Sequence, residues 1–305
     1  MKGDPQPIDG HEEVYPLHKL DDIKSFRNHV IWMMRFNDVL DAEKLADALS
    51  RLLEIGDCKK LGGRLRFKAD GKLEVVLQKP STTGERHVFF THDSYEMRIQ
   101  DHRLASRLPN ATDGPSTHLV SEDFQPFIAR PNFPTFDQSI RRNEPQISLH
   151  VTSFKDATLV ALLWPHVLMD ASAGEALLSG WSSVLTGRER DIVVVTGAQD
   201  DILLQAAMSK KAETSEKFKL EKNRLTSGTP YFSIAMSVGQ VLDSPLQQRA
   251  VFIPEAVLNK LKAEVRKEIA EGSENVPFVS ESDILIAWIC QVVHLLWRDP
   301  VQWQL

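Results

Sequence analysis

Two apolar segments, Gln146–Phe154 (QISLHVTSF) and Ala157–Trp164 (ATLVALLW), are separated only by Lys155-Asp156, and they constrain this chain more than any other stretch. Apolar runs of this length across so short a polar break predict a pair of strands. The second run is nearly all apolar, the pattern of a strand buried on both faces. It stops at Pro165-His166, and beyond it Gly174–Leu185 (GEALLSGWSSVL) places Leu177, Leu178, Trp181 and Leu185 at helical spacing, with Gly187 as a natural stop. A buried strand that runs through a turn into a helix belongs to a layered α/β chain.

The flanking sequence repeats the theme. Leu40–Ile55 (LDAEKLADALSRLLEI) carries leucines three to four apart, an amphipathic helix with Asp41 as N-cap and Gly56 as stop. LGGRLRFKADGKLEVVLQ then reads as two short strands around Asp70-Gly71, a dipeptide suited to a tight turn. Residues Arg98–Pro145 are rich in Pro, Asp, Asn, Ser and Thr and read as irregular connections with isolated strands. Ser209–Arg224 is a mixed-charge stretch, expected to be a solvated helix or a linker. Arg249–Pro254 reads as a strand and Glu255–Glu271 as an amphipathic helix. Ser280–Trp297 reads as a strongly apolar helix capped by Ser280 or Ser282, with Asp283 near its positive end.

At 305 residues the chain has room for about two domains. A composition of 42% hydrophobic and 26% charged residues is that of a globular protein. The formal charge of −6 has the wrong sign for broad neutralisation of a phosphate backbone, so no nucleic-acid partner is expected. The opening MKGDPQPIDGHEEVYPL has no apolar stretch, and the apolar runs 161–169 and 284–297 are too short or too interrupted to span a bilayer. With only Cys58 and Cys290, neither a disulfide framework nor a cysteine metal site is implied. A cytoplasmic monomer without membrane attachment is the expectation.

Chemistry concentrates in Trp164–Gly174 (WPHVLMDASAG). The strand delivers His166 to its C-terminal end, Asp170 follows four residues on, and Gly174 opens the next helix. Strand ends in α/β folds are where ligands and catalytic groups gather. Imidazole suits such a place, since the unperturbed group ionises near working pH and can take a proton from an attacking alcohol or amine. Asp170 serves to orient the loop, directly or through an arginine, and glycine permits close approach of backbone and ligand. A His-Asp pair at this spacing is by itself more often the mark of a structural histidine. The buried strand before it, the small-residue turn after it and the helix beyond it favour the chemical reading.

In this context the segment resembles the HxxxD region of BAHD-type, coenzyme-A-dependent acyltransferases, particularly their fungal branch. More distantly it is similar to chloramphenicol acetyltransferase and to the condensation domains of peptide synthetases. Further stretches match in order: LDAEKLADALSRLLE followed by LGGRLR; the hairpin, loop and helix of TSFKDATLVALLWPHVLMDASAGEALLSGWSSVLTG; and RAVFIPEAVLNKLKAE followed by VSESDILIAW, similar to the family's Ser-x-x-Asp-x-Leu-x-Ala-Trp.

The resemblance implies an α/β, chloramphenicol-acetyltransferase-like two-domain fold with mixed sheets flanked by helices. It places an N-terminal acyltransferase domain over 1–208, a charged crossover linker over 209–230 and a partial C-terminal domain over 231–305. It also implies His166 as general base, Asp170 in a structural role and Gly174 in a loop role. Acyl-CoA would be a co-substrate rather than a permanently bound cofactor, and a small-molecule hydroxyl or amine the acceptor. Two features depart from the family pattern: Ala171 stands where members carry Gly directly after the Asp, and no Asp-Phe-Gly-Trp-Gly motif is present. The second domain is therefore expected to be incomplete, which leaves the CoA-contacting residues unassigned. An alternative follows, a truncated, catalytically silent relative acting as a binding protein, or an incomplete gene model. A condensation-type enzyme using carrier-protein thioesters is disfavoured by Trp164-Pro165-His166 in place of a His-His pair.

Other chemistry-bearing residues have plainer readings. His87, His92 and His102, with Asp93 and Asp101, show no metal-ligand spacing and read as surface residues of a loop-rich stretch, so no metal is expected. Gly62-Gly63 lacks a phosphate-loop pattern and reads as a turn before a strand. Trp181 and Trp288 read as core aromatics, His294 as a packing residue, and both cysteines as inert.

Overall fold

In the computed structural model the described residues are 13–77, 86–120, 122–130, 132–193, 197–208, 249–272 and 278–298. They fall into two compact units, the first drawn from residues 1–106 and 122–229, the second from 107–121 and 230–305. The expected linker 209–230 lies outside the described residues.

The first unit is organised around a four-stranded sheet in the order β2-β8-β7-β5. Its strands are β2 (His29–Phe36), β5 (Val88–Ser94), β7 (Ile147–Ser153) and β8 (Thr158–Pro165). β7 and β8 form the antiparallel pair that their sequence predicts, and β5 runs parallel to β7. Every residue of β8 is buried, because its two faces meet different layers. Val160, Leu162 and Trp164 face the main core with helices α1 (Ala42–Leu52) and α4 (Ala171–Leu185), whereas Ala161 and Leu163 pack on Ala129, Ile128 and Phe133.

Helix α1 begins where the sequence places it: Asp41 accepts a hydrogen bond from the Lys44 backbone N–H at 3.0 Å. Its leucines Leu45, Leu49 and Leu52 are buried. Trp181 of α4 crosses to α1, its indole N–H donating to the Leu45 carbonyl at 2.9 Å. A short helix α2 (Lys59–Gly62) leads into a second sheet of order β1-β4-β3, with strands β1 (Val14–Pro16), β3 (Arg64–Phe67) and β4 (Leu73–Val76). The β3–β4 turn contains Gly71 at φ +79°, a left-handed conformation that suits glycine. Gly63 is demanded by packing instead, since a Cβ there would lie 2.4 Å from Val75 Cγ1.

The expectations hold no strand over 29–36 and place residues near His92 in loops; the structure puts both stretches in strands. The expected irregular region also contains a short helix, α3 (Phe136–Arg141), closed by a reciprocal cap between Thr135 and Gln138. The first unit ends its described part with α5 (Ile202–Met208).

In the second unit, β6 (Ser116–Leu119) pairs antiparallel with β9 (Arg249–Phe252), and helices α6 (Glu255–Gly272) and α7 (Glu281–Arg298) follow. Ser280 caps α7: its Oγ accepts the Asp283 N–H at 3.2 Å, and Asp283 Oδ2 accepts the Ser280 N–H at 2.9 Å. Those bonds, the Ser280 hydroxyl foremost, hold the Asp283 carboxyl below its ordinary pKa. Trp288 does not occupy a core as expected; it is 39% exposed. The side chain of His294 lies outside the described residues.

Candidate active site

β8 ends at Pro165, paired with His29 of β2, and the chain turns at once. The His166 backbone N–H donates to the Asn28 carbonyl at 2.9 Å, and Leu168 N–H closes back onto the Pro165 carbonyl at 3.0 Å. Trp164 seals the loop from beneath: its buried indole N–H donates to the Met169 carbonyl at 3.2 Å. Asp170 then caps α4, its Oδ1 accepting the Ala173 N–H at 2.9 Å. Five residues therefore separate the last strand position from the first helical one, and each end of the turn is pinned by a hydrogen bond.

The His166 side chain is half-buried. Phe26 lies flat against it, ring centroids 4.4 Å apart and planes 9° from parallel. Its Nδ1 is buried and has no hydrogen-bond partner among the described residues. An imidazole in this position has one face covered and one nitrogen withdrawn from water.

Of the three residues singled out by sequence, His166 and Asp170 lie in the turn and Gly174 lies beyond it, and their duties differ. His166 presents the imidazole. Asp170 is exposed and engaged with backbone as a helix cap, which is a structural task. Gly174 corrects its expected loop role: α4 starts at Ala171 because Asp170 caps there, so Gly174 lies inside the helix. A Cβ on Gly174 would stand 2.8 Å from Trp32 Cη2, so the missing side chain makes room for an indole and not for a ligand. That indole meets Trp164 edge-on at 4.9 Å. Phe26, Trp32 and Asn28, all bearing on this turn, carry no sequence signal, because they come from a strand and a preceding turn remote in the chain.

Described residues of the first unit border at least two cavities. One, of about 10 Å³ and so roughly the room of a single water, is lined by residues including His29, Phe133, Gln146, Ser148 and Pro165. Burial holds the His29 pKa below its ordinary value. The other is an open cleft of about 430 Å³ bordered by Lys24, Arg27, Thr135, Phe136 and Asp137. His166 lines neither.

The histidines of the expected loop-rich stretch, His87, His92 and His102, have separate partners. His87 approaches Glu54 at 3.8 Å, His92 bonds the Ser153 hydroxyl at 2.9 Å, and the His102 Nδ1 accepts the Ala105 N–H at 3.0 Å. Among the described residues no three metal-ligating side chains come together. Cys58 is buried, which raises its thiol pKa, and Cys290 is exposed. Among the described residues, no helix is long and apolar enough to cross a membrane.

Comparison with known proteins bears on this geometry. The chain is 33% identical over 299 residues to the O-acetyltransferase PaAT-2 of Phomopsis amygdali, covering 95% of this chain and 60% of that protein. It is 32% identical over 293 residues to the acetyltransferase pyiB of Pyricularia grisea, covering 94% of this chain and 57% of that one. A further match, 29% identical over 92% of this chain, is the transcriptional regulator calD of Penicillium decumbens. The chain thus spans less than two-thirds of the length of these relatives. No protein-family profile matches it. Among solved structures, TRI101 of F. graminearum complexed with ethyl coenzyme A superposes with a TM-score of 0.40 at 11% identity, over 58% of this chain and 40% of that one, a likeness too slight to carry an argument.

Proposed function

This chain is a relative of fungal acetyltransferases and acyltransferases, and from that kinship we propose that it moves an acyl group from acyl-CoA to the hydroxyl or amine of a small acceptor, with His166 as general base. The carrying observation is the imidazole at the end of the buried strand β8, held by backbone on both sides of its turn. His166 takes the proton from the acceptor O–H or N–H as that atom attacks the thioester carbonyl. Collapse of the tetrahedral adduct breaks the carbon–sulfur bond, and the imidazolium returns its proton to the departing thiolate. Asp170 contributes by holding the turn through its cap and takes no proton itself. The two partners are acyl-CoA and a small molecule, and the chemistry requires no resident cofactor or metal. The reading divides the chain as 1–208, 209–230 and 231–305.

The test is thiol release from acetyl-CoA and longer acyl-CoA esters with a panel of alcohols and amines, wild type against His166→Ala. A positioned acid–base group contributes about 10²- to 10⁴-fold, so a loss in that range is expected. Equal rates overturn the role of His166. Product analysis separates ester from amide.

A second reading, a non-catalytic relative that binds a partner, is favoured by one observation: Phe26 covers one face of the His166 ring. It predicts no thiol release above background with any acceptor of the panel.

A further inference from the structure

A catalytic base is normally aimed by a third group, most often a carboxylate bonded to its far nitrogen. Among the described residues His166 has no such group. None of them hydrogen bonds its buried Nδ1, and the carboxylate in its turn, Asp170, is already occupied by the Ala173 N–H. What does touch the ring is Phe26, parallel at 4.4 Å.

Phe26 is itself held. It ends a single 3₁₀ turn, Lys24–Phe26, and its N–H donates to the Ile23 carbonyl at 2.8 Å. The next residue, Arg27, makes a two-pronged contact with Asp22 Oδ1, from Nε at 2.9 Å and from Nη2 at 2.7 Å. The same carboxylate accepts the Leu73 N–H at 3.0 Å, and Arg27 Nη2 reaches the Gly71 carbonyl at 3.3 Å. The 3₁₀ turn is therefore tied to the β3–β4 hairpin, a rigid element with its own sheet. Immediately after it, Asn28 supplies the carbonyl that holds the His166 backbone. One short segment grips the loop at its main chain and the imidazole at its face.

We propose that Phe26 is the positioning residue for His166, a flat stack doing the aiming that a hydrogen-bonded carboxylate does elsewhere, and that the Asp22–Arg27 pair holds this stack in place. The inference rests on the reading of His166 as general base and specifies how that base is oriented. A parallel stack restricts rotation of the imidazole while covering a face of the ring and not its edge, where Nε2 lies. The negative face of the phenyl ring also favours the imidazolium formed after the first proton transfer. The other titratable groups bearing on this turn are Lys24 and Arg27 beside Phe26, His29 opposite Pro165, and Asp170; among the described residues none hydrogen bonds the His166 ring.

The experiment compares Phe26→Ala, Phe26→Leu and Phe26→Tyr with wild type and His166→Ala, each checked for folding by circular dichroism. Phe26→Leu keeps apolar bulk without an aromatic face, and Phe26→Tyr keeps the face. Misplacing a catalytic group by about 1 Å costs on the order of 10²-fold. The Ala and Leu variants are thus expected to lose about that much kcat, with KM for acyl-CoA little changed, and Tyr to restore it. A readout independent of turnover is the ring-current shift that Phe26 imposes on the carbon-bound protons of the His166 ring, seen by NMR and assigned by their loss in His166→Ala. These resonances move downfield in the Ala and Leu variants and stay in place in the Tyr variant. Asp22→Asn shifts both readouts in the same direction by a smaller amount. Wild-type kcat and unchanged His166 ring resonances in folded Phe26→Ala and Phe26→Leu, alongside an inactive His166→Ala, overturn the positioning role and leave the base intact. Full activity in His166→Ala overturns the base and the positioning role together.

Discussion

At the level of single residues, the turn after β8 carries the proposed base, His166, beside groups that hold the fold. Asp170 holds: its carboxylate replaces a missing backbone acceptor at the start of α4, so Asp170→Ala is expected to lose about 1 kcal/mol, the usual worth of a helix cap, whereas Asp170→Asn keeps most of it. Urea denaturation of the two variants checks this, and equal losses would implicate charge instead of capping. Gly174 holds by its absence of bulk. Gly174→Ala drives a methyl into Trp32 and is expected to destabilise by about 1–3 kcal/mol. The same substitution in a Trp32→Leu background should cost much less, a non-additivity that a double-mutant cycle measures. His166, Asp170 and the helix after them are legible in sequence, because a buried apolar run ending in Pro-His is a local pattern. The partners Phe26 and Trp32 are not, since nothing in SFR or HVIWMM announces which distant ring each will meet.

The secondary-structure elements show the same division. α1, the β3–β4 hairpin, the β7–β8 pair, α4, α6 and α7 all follow from periodicity, caps and turn glycines near the expected residues. β2 and β5 do not. β2 mixes half-buried and exposed positions without clean alternation, and its strand character comes from pairing with β8 along eight residues. β5 turns polar at Thr91-His92-Asp93-Ser94, and it is a strand because β7 offers it a parallel edge. α3 does carry a local signal, the Thr135-x-x-Gln138 box, though its six residues are too few for a periodic pattern. The tie between β8 and α4 is Trp164, whose indole N–H reaches over the loop to Met169. Trp164→Phe keeps the aromatic bulk and leaves that carbonyl without its buried donor, a loss of about 1–3 kcal/mol, read in the unfolding midpoint. Under the base reading it also lowers kcat, since the loop that presents His166 loses its floor.

For the molecule as a whole, the pH response follows from buried histidines. His150 on β7 is 3% exposed, bonded to Thr91 and Thr152, and burial above all lowers its pKa from the ordinary 6.5, against the pull of Asp93 at 3.8 Å. His29 shifts in the same direction for the same reason. A group that binds its proton less readily when folded makes the unfolded state the greater proton binder. Stability from these two sites is therefore complete above the unfolded value near 6.5 and falls as pH drops below it. Thermal unfolding between pH 7.5 and about 5 should show a falling midpoint. His150→Gln, which keeps polar contacts without a titrating ring, should flatten that fall; an unchanged slope would mean His150 titrates normally. In the second unit, α7 exposes Ile286, Trp288 and Ile289, and Phe278 just before it is 82% exposed. Apolar surface of this kind binds hydrophobic dyes and promotes self-association. A variant with Ile286→Glu and Ile289→Glu is expected to reduce both, as measured by dye fluorescence and size-exclusion chromatography.

Sequence alone determined the elements that need only their own residues. An apolar run calls for burial on both sides, a leucine stripe calls for one covered face, and Asp, Ser and Gly at the ends set where helices start and turns reverse. It likewise singled out the turn of His166 and Asp170 as the candidate site. Tertiary structure decided everything that depends on a neighbour from elsewhere in the chain: which strands flank β8, why position 174 admits no side chain, and which ring lies against the imidazole. Burial energy is collective and nearly indifferent to partner identity, so a local pattern specifies that a face is covered. Only the folded chain specifies by what.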